Sequence, residues 1–167
     1  MRKILLAVDN SNIYVPTKEI FGHDARFSYA NFEKKTYSLD TFVVKLLTGS
    51  TPPSNDAFWS RMEQNGYEVV TYEQKQVFSE GRLRKKEKSA DTDLCVRATE
   101  AIIDHKPDVL VLCSGDLDML PLVKMAKKYS CVVHLWTFRK SSASDLEKEC
   151  DKVFYIDDDE NEDLFLR

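Results

Sequence analysis

Four aspartates stand where a folded chain could gather them. Asp9 follows the apolar run ILLAV, Asp91 opens a stretch of helical periodicity, and Asp116 and Asp118 follow the run VLVLC. If both runs are central parallel strands, whatever follows them shares one crevice at the carboxyl edge of the sheet. Two carboxylates about 5 Å apart repel by roughly 3 kcal/mol at an effective dielectric near 20, so such a group calls for a cation or for raised pKa values. Oxygen donors of this kind suit Mg2+ or Mn2+.

Each aspartate also has a plainer reading. Asp9 heads the turn-forming Asp9-Asn10-Ser11-Asn12, and one carboxylate in Ser114-Gly115-Asp116-Leu117-Asp118 would cap the next helix. Capping does not require two, and it leaves the joint occurrence with Asp9 unexplained. Asp93 precedes Arg97 by four residues and fits an exposed ion pair, which makes it accessory. Asn12, Ser114 and Ser142 are hydroxyl or amide groups able to orient a water or touch phosphate. His23, His105 and His134 form no ligand spacing, and Cys95, Cys113, Cys131 and Cys150 form no CxxC pair, so reduced thiols are expected.

The chain has 167 residues, 43% hydrophobic, which supports one core more readily than two. No apolar run approaches a membrane span, and MRKILLAVDNSN turns polar too early for a secretory signal, so a cytoplasmic protein without membrane contact is expected. The formal charge of −4 is concentrated at the end, where residues 157–167 hold six acids and one base. The remainder is close to neutral. Within it, residues 75–88 carry Lys75, Arg82, Arg84, Lys85, Lys86 and Lys88 against Glu80 and Glu87, a local charge suited to phosphate. Arg84, Lys86 and Lys88 come shortly before Asp91 and are the candidates to hold a phosphodiester backbone.

Hydrophobic patterning supplies the scaffold. Strands are expected over residues 3–8, 41–47, 67–72, 108–113 and 132–138, with a short last one over 153–156. Helices are expected near 30–37, around Phe58-Trp59-Met62, from Asp91 to His105, over 117–129 and over 143–149. The alternation predicts an α/β fold with a mainly parallel sheet covered on both faces. The residues after Ile156 read as an acidic, disordered tail. Tyr14, Phe27 and Tyr29 follow the first acidic turn and could stack on a base, although core or lid packing suits them better.

Several segments resemble the NYN domain, in particular its LabA-like branch: VDNSNIY at residues 8–14, KEKSADTDL at 86–94, VLVLCSGDLDMLPLV at 109–123 and the ending SDLEKECDKVFYI. The resemblance spans residues 1–156 and implies a PIN-like three-layer α/β/α sandwich with a mainly parallel central sheet of about five strands. It also implies a Mg2+- or Mn2+-dependent nuclease acting mainly on RNA, single-stranded or structured. Asp9, Asp91, Asp116 and Asp118 match the family's acidic cluster, Asn12 its first-motif asparagine, and Asp151 a late family aspartate of accessory rank. Arg97 departs from a position often acidic in relatives, and Ala90 replaces a common valine.

The expected chemistry is phosphodiester hydrolysis with one or two divalent ions held by the four aspartates. A catalytically inactive RNA-binding or protein-interaction module on the same scaffold is the alternative. An aspartyl-phosphate phosphatase is excluded, because Asp9-Asn10-Ser11-Asn12 lacks the DxDx[TV] arrangement. The sequence sets no oligomeric state and leaves a homodimer open.

Overall fold

The computed structural model describes residues 1–51, 56–73, 75–79, 82–86 and 89–166. In chain order the elements are β1 Lys3–Asp9, α1 Asn10–Phe21, β2 Arg26–Phe27, α2 Tyr29–Tyr37, β3 Thr41–Thr51, α3 Asp56–Gln64, β4 Glu68–Glu73, β5 Lys75–Ser79, β6 Arg82–Lys86 and α4 Ala90–His105. They continue with β7 Val109–Cys113, a 3-10 turn Leu117–Met119, α5 Leu120–Lys128, β8 Val132–Thr137, α6 Ser144–Glu149, β9 Lys152–Tyr155, a 3-10 stretch Asp159–Leu164 and β10 Phe165–Leu166.

Six strands form one parallel sheet in the order β4-β3-β1-β7-β8-β9. β1 and β7 lie at its centre, and their all-apolar sequences follow from being covered on both sides. Alternate residues of β1 serve the two layers. Ile4, Leu6 and Val8 join Ile13, Phe32, Trp59 and Met62 in one core, while Leu5 and Ala7 join Leu94, Ile102, Leu122 and Leu146 in the other. Helices α1, α2 and α3 therefore cover one face and α4, α5 and α6 the opposite face. From β1 the strand order runs outward to β3 and β4 on one side and to β7, β8 and β9 on the other. The β1–β7 boundary is thus the switch point at whose carboxyl edge ligands bind in open α/β sheets. The mainly parallel sheet with helices on both sides is the expected fold class.

Some local expectations change. A 12-residue helix, α1, starts directly after Asp9, where the residues suit turns and helix caps but no helix was placed. Asp9 caps it, accepting from the backbone N–H of Ser11 and Asn12, and Pro16 is accommodated on its buried side. Most of the basic segment 75–88 is an antiparallel pair, β5 with β6, in place of a loop; Lys88 lies outside the described residues, and the side chains of Arg84 and Lys86 are likewise not described.

The acidic end is folded. β10 pairs antiparallel with β2, Leu164 is fully buried, the Phe165 ring stacks on Phe21 at 3.9 Å, and Lys35 pairs with Asp163 at 2.6 Å. Apolar Leu164 and Phe165 outweigh the charges around them because they complete the core beside Phe27 and Phe32. The free cysteines conform to expectation, with Cys113 and Cys131 buried. Among the described residues no helix is long and apolar enough to cross a membrane.

Because Leu164 fills a place in the core, Leu164→Ala should lower the free energy of unfolding by about 2–5 kcal/mol in a urea titration. A disordered tail would leave it unchanged.

Candidate metal centre

The register of the central pair ends at Val8 opposite Cys113, which sets Asp9 level with Ser114. Ser114 is fully buried. Its hydroxyl donates to Asp9 Oδ2 at 3.2 Å and accepts from the backbone N–H of Asp116, also at 3.2 Å. Asn12 makes a second tie: its side-chain amide donates to Asp9 Oδ2, and its Oδ1 accepts from the N–H of Gly115 at 3.3 Å. Asn12 and Ser114, expected to touch phosphate or water, direct these polar atoms into the joint between the two strand ends. Neighbouring Asn10 accepts from Tyr29 Oη at 2.9 Å, fixing the first turn of α1 from its other side.

Gly115 is required sterically. A Cβ there would sit 2.3 Å from the carbonyl oxygen of Ser141 and 2.9 Å from Thr137 Oγ1. The tight approach lets the chain turn into the 3-10 segment, where Asp116 Oδ1 accepts from the N–H of Asp118 at 2.9 Å. Capping by Asp116 is therefore real, yet its carboxylate also takes part in a larger group. One carboxylate oxygen from each of Asp91, Asp116 and Asp118 lies within 4.8 Å of the other two. Asp91 arrives from the first turn of α4, whose N-cap Ser89 has a left-handed backbone, φ 89°, a conformation rare for a residue with a side chain. All three ligand atoms are oxygens of exposed or half-buried carboxylates, a donor set that fits a hard divalent cation.

Asp9 stands apart from that trio. It is 2% exposed, and burial, reinforced by the nearby charge of Asp91, pushes its pKa up to about 6 against the lowering effect of its hydrogen bonds to Asn12 and Ser114. Cys95, one turn beyond Asp91, has Sγ 3.9 Å from the carbonyl oxygen of Asp118 and 3.7 Å from Met119 Sδ. Burial and then the charges of Asp91, Asp118 and Asp116 push this thiol up to about 11, so it stays protonated at neutral pH and offers no thiolate.

The remaining sequence candidates lie elsewhere. Asp93 faces Arg97 at 4.0 Å and hydrogen-bonds Tyr72, while Arg97 pairs with Glu68 at 2.7 Å. Asp151 sits at the amino edge of the sheet, where its Oδ2 accepts from the N–H of Val133 at 2.8 Å. Phe27 and Tyr29 pack into the core, and Tyr14 is half exposed. The residues that sequence reasoning passed over are Thr137 and Ser141 against Gly115 and Cys95 beside Asp118 and Met119; of that stretch only Ser142 had been singled out.

A pH dependence follows from Asp9. Below pH 3.8 its carboxyl is protonated in the folded and unfolded chains alike. Between 3.8 and about 6 only the unfolded chain ionises, so stability falls as pH rises through that window and the penalty persists above it. Asp9→Asn removes this effect. In the absence of divalent ions, the stability of the variant relative to the natural chain should increase by about 2 kcal/mol between pH 4 and 7, measured by denaturation across that range. A difference independent of pH would show that Asp9 is not destabilised by ionisation.

Comparison with known proteins agrees with this architecture. The NYN domain family matches residues 3–157. No curated protein matches the chain. A crystal structure of a protein of unknown function from Vibrio parahaemolyticus is similar, with a TM-score of 0.70 and 24% identity over 95% of this chain and 94% of that one; at that identity it supports the fold alone. The central parallel sheet, its helical layers and the family match over nearly the whole length lead to one conclusion: this chain belongs to the NYN family, within the PIN-like superfamily.

Proposed function

We propose that the protein is a divalent-metal-dependent nuclease that hydrolyses phosphodiester bonds in RNA. The observation that carries this reading is the convergence of Asp91, Asp116 and Asp118, with one oxygen of each within 4.8 Å of the others, in a family whose members are generally nucleases and whose nucleases use divalent metals.

In this reading Asp91, Asp116 and Asp118 hold Mg2+ or Mn2+, and Asp9 supports them from below as the fourth acid. A divalent cation held by these carboxylates would supply Lewis acidity at the scissile phosphate and toward the attacking water. Asp9, whose proton is lost near pH 6, is ionised at neutral pH and adds negative charge beside Asp91. Ser114 and Asn12 keep the Asp9 and Asp116 loops in register, so that the carboxylates are positioned before substrate arrives. The β5–β6 pair, rich in lysine and arginine, runs toward Asp91 in sequence and supplies backbone affinity. Asp93 and Asp151 have accessory, structural parts.

A second reading, an RNA-binding module without catalysis, is favoured by one feature: the Asp9 carboxylate is saturated with hydrogen bonds and lies outside the three-acid group.

The discriminating experiment is Mn2+-dependent digestion of a mixed RNA pool, with single-stranded DNA as the control substrate. The natural chain should release RNA fragments and Asp116→Asn should release none while retaining its fold. Cleavage by that variant at the natural rate would remove Asp116 from the mechanism, and RNA binding without product would establish the second reading. Binding can be read separately. Mn2+ at about 100 times its dissociation constant should raise the thermal midpoint by about 5–10 °C, and Asp116→Asn should lose most of that increase.

A further inference from the structure

The connection from β8 to α6, with sequence Phe138-Arg139-Lys140-Ser141-Ser142, lies directly against the acidic turn. The N–H of Ala143 donates to the carbonyl of Gly115 at 3.0 Å, and the Ser141 carbonyl occupies the space a Gly115 side chain would need. Gly115 is the residue before Asp116, so this stretch forms one wall beside the carboxylates. Its polar groups divide into used and unused. Arg139 is engaged, paired with Asp158 at 2.5 Å and set over the Tyr155 ring at 3.9 Å. Lys140 is exposed and enters no salt bridge among the described residues. The hydroxyls of Thr137, which is 1% exposed, and of half-buried Ser142 have no hydrogen-bond partner among the described residues.

A buried hydroxyl without a partner is uncommon and calls for an explanation. Here two of them flank the turn that carries Asp116, next to an uncommitted lysine. A polynucleotide laid over the acidic cluster brings flanking phosphates, which the carboxylates repel and which need positive charge and hydrogen-bond donors of their own. We propose that residues 140–142 form a phosphate-binding subsite for the nucleotide adjoining the scissile bond. Lys140 supplies the charge and Ser142 a hydroxyl donor. Thr137 stays inward against Gly115 and positions the loop. The subsite rests on the reading of the acidic cluster as a phosphodiester site, and it assigns the direction in which the strand leaves that cluster, across β8 rather than β3.

The test uses the full chain and a 5′-fluorescein single-stranded oligoribonucleotide. Lys140→Met combined with Ser142→Ala should raise the dissociation constant from anisotropy, and KM for cleavage, by about tenfold, leaving kcat within about twofold and the Mn2+-induced thermal shift unchanged. Lys140→Met alone should reduce the slope of log affinity against log salt by about 0.7, and Lys140→Arg should restore affinity. Lys128→Met, at the far end of α5, should alter neither. The proposal is overturned by unchanged RNA affinity and salt slope in the double variant, by equal loss in Lys128→Met, or by the absence of RNA binding in the natural chain. Should that chain bind RNA without cutting it, the nuclease reading fails while the anisotropy series still decides the subsite.

Discussion

The hydroxyl of Ser114 ties together the ends of the two central strands. It gives its proton to Asp9 at the end of β1 and receives the amide proton of Asp116 after β7, so two loops separated by more than a hundred residues move as one. Everything acidic in the site refers back to that joint. Asp9 could not be buried without it, since an ionised carboxylate in an apolar interior is tolerated only when hydrogen bonds replace its water. Asn12 and the start of α1 supply the others.

The carboxylates are drawn from both layers of the fold. Asp9 leads into α1 on one face of the sheet, while Asp91 opens α4 on the opposite face. The three grouped acids come from the α4 and α5 side, and the buried Asp9 meets them from the other. The sheet places the strand ends, and α4 begins at Ser89, whose backbone is left-handed. Mutual repulsion opposes this gathering and is balanced by the packing of two cores, in which the residues of β1 alternate between faces. Such a site stores unfavourable electrostatics that a cation relieves.

Much of this was legible in the sequence because hydrophobic burial and strand order dominate it. The all-apolar runs before Asp9 and before Ser114 suit central strands, and central parallel strands bring their carboxyl ends together. That logic places Asp9 beside the loop of Asp116, to which Ser114 ties it; Asp91 follows no strand, and its place beside Asp116 and Asp118 depends on where α4 begins. What escaped depends on contacts between distant residues. The helix after Asp9 was hidden because Asn10, Ser11 and Asn12 suit turns as well as caps, and the two are told apart only once Asp9 is seen accepting the amides of Ser11 and Asn12. Asp151 is an ordinary acid until the amide of Val133 is located in space, whereas the pairing of Asp93 with Arg97 was readable from their spacing of four residues. The pairing of β5 with β6 was obscured by charge, although Val77, Phe78 and Leu83 favour strands.

The folded end of the chain alters the electrostatic character of the protein. A loose acidic segment would sweep through solvent as a polyanion and compete for any basic surface within its reach. Here Asp157 and Asp158 are tied to Arg139 and Asp163 to Lys35. The negative potential is consequently anchored at defined places on the molecular surface, and an approaching polyelectrolyte meets a stationary contour around which it can be steered, instead of a mobile competitor it must displace.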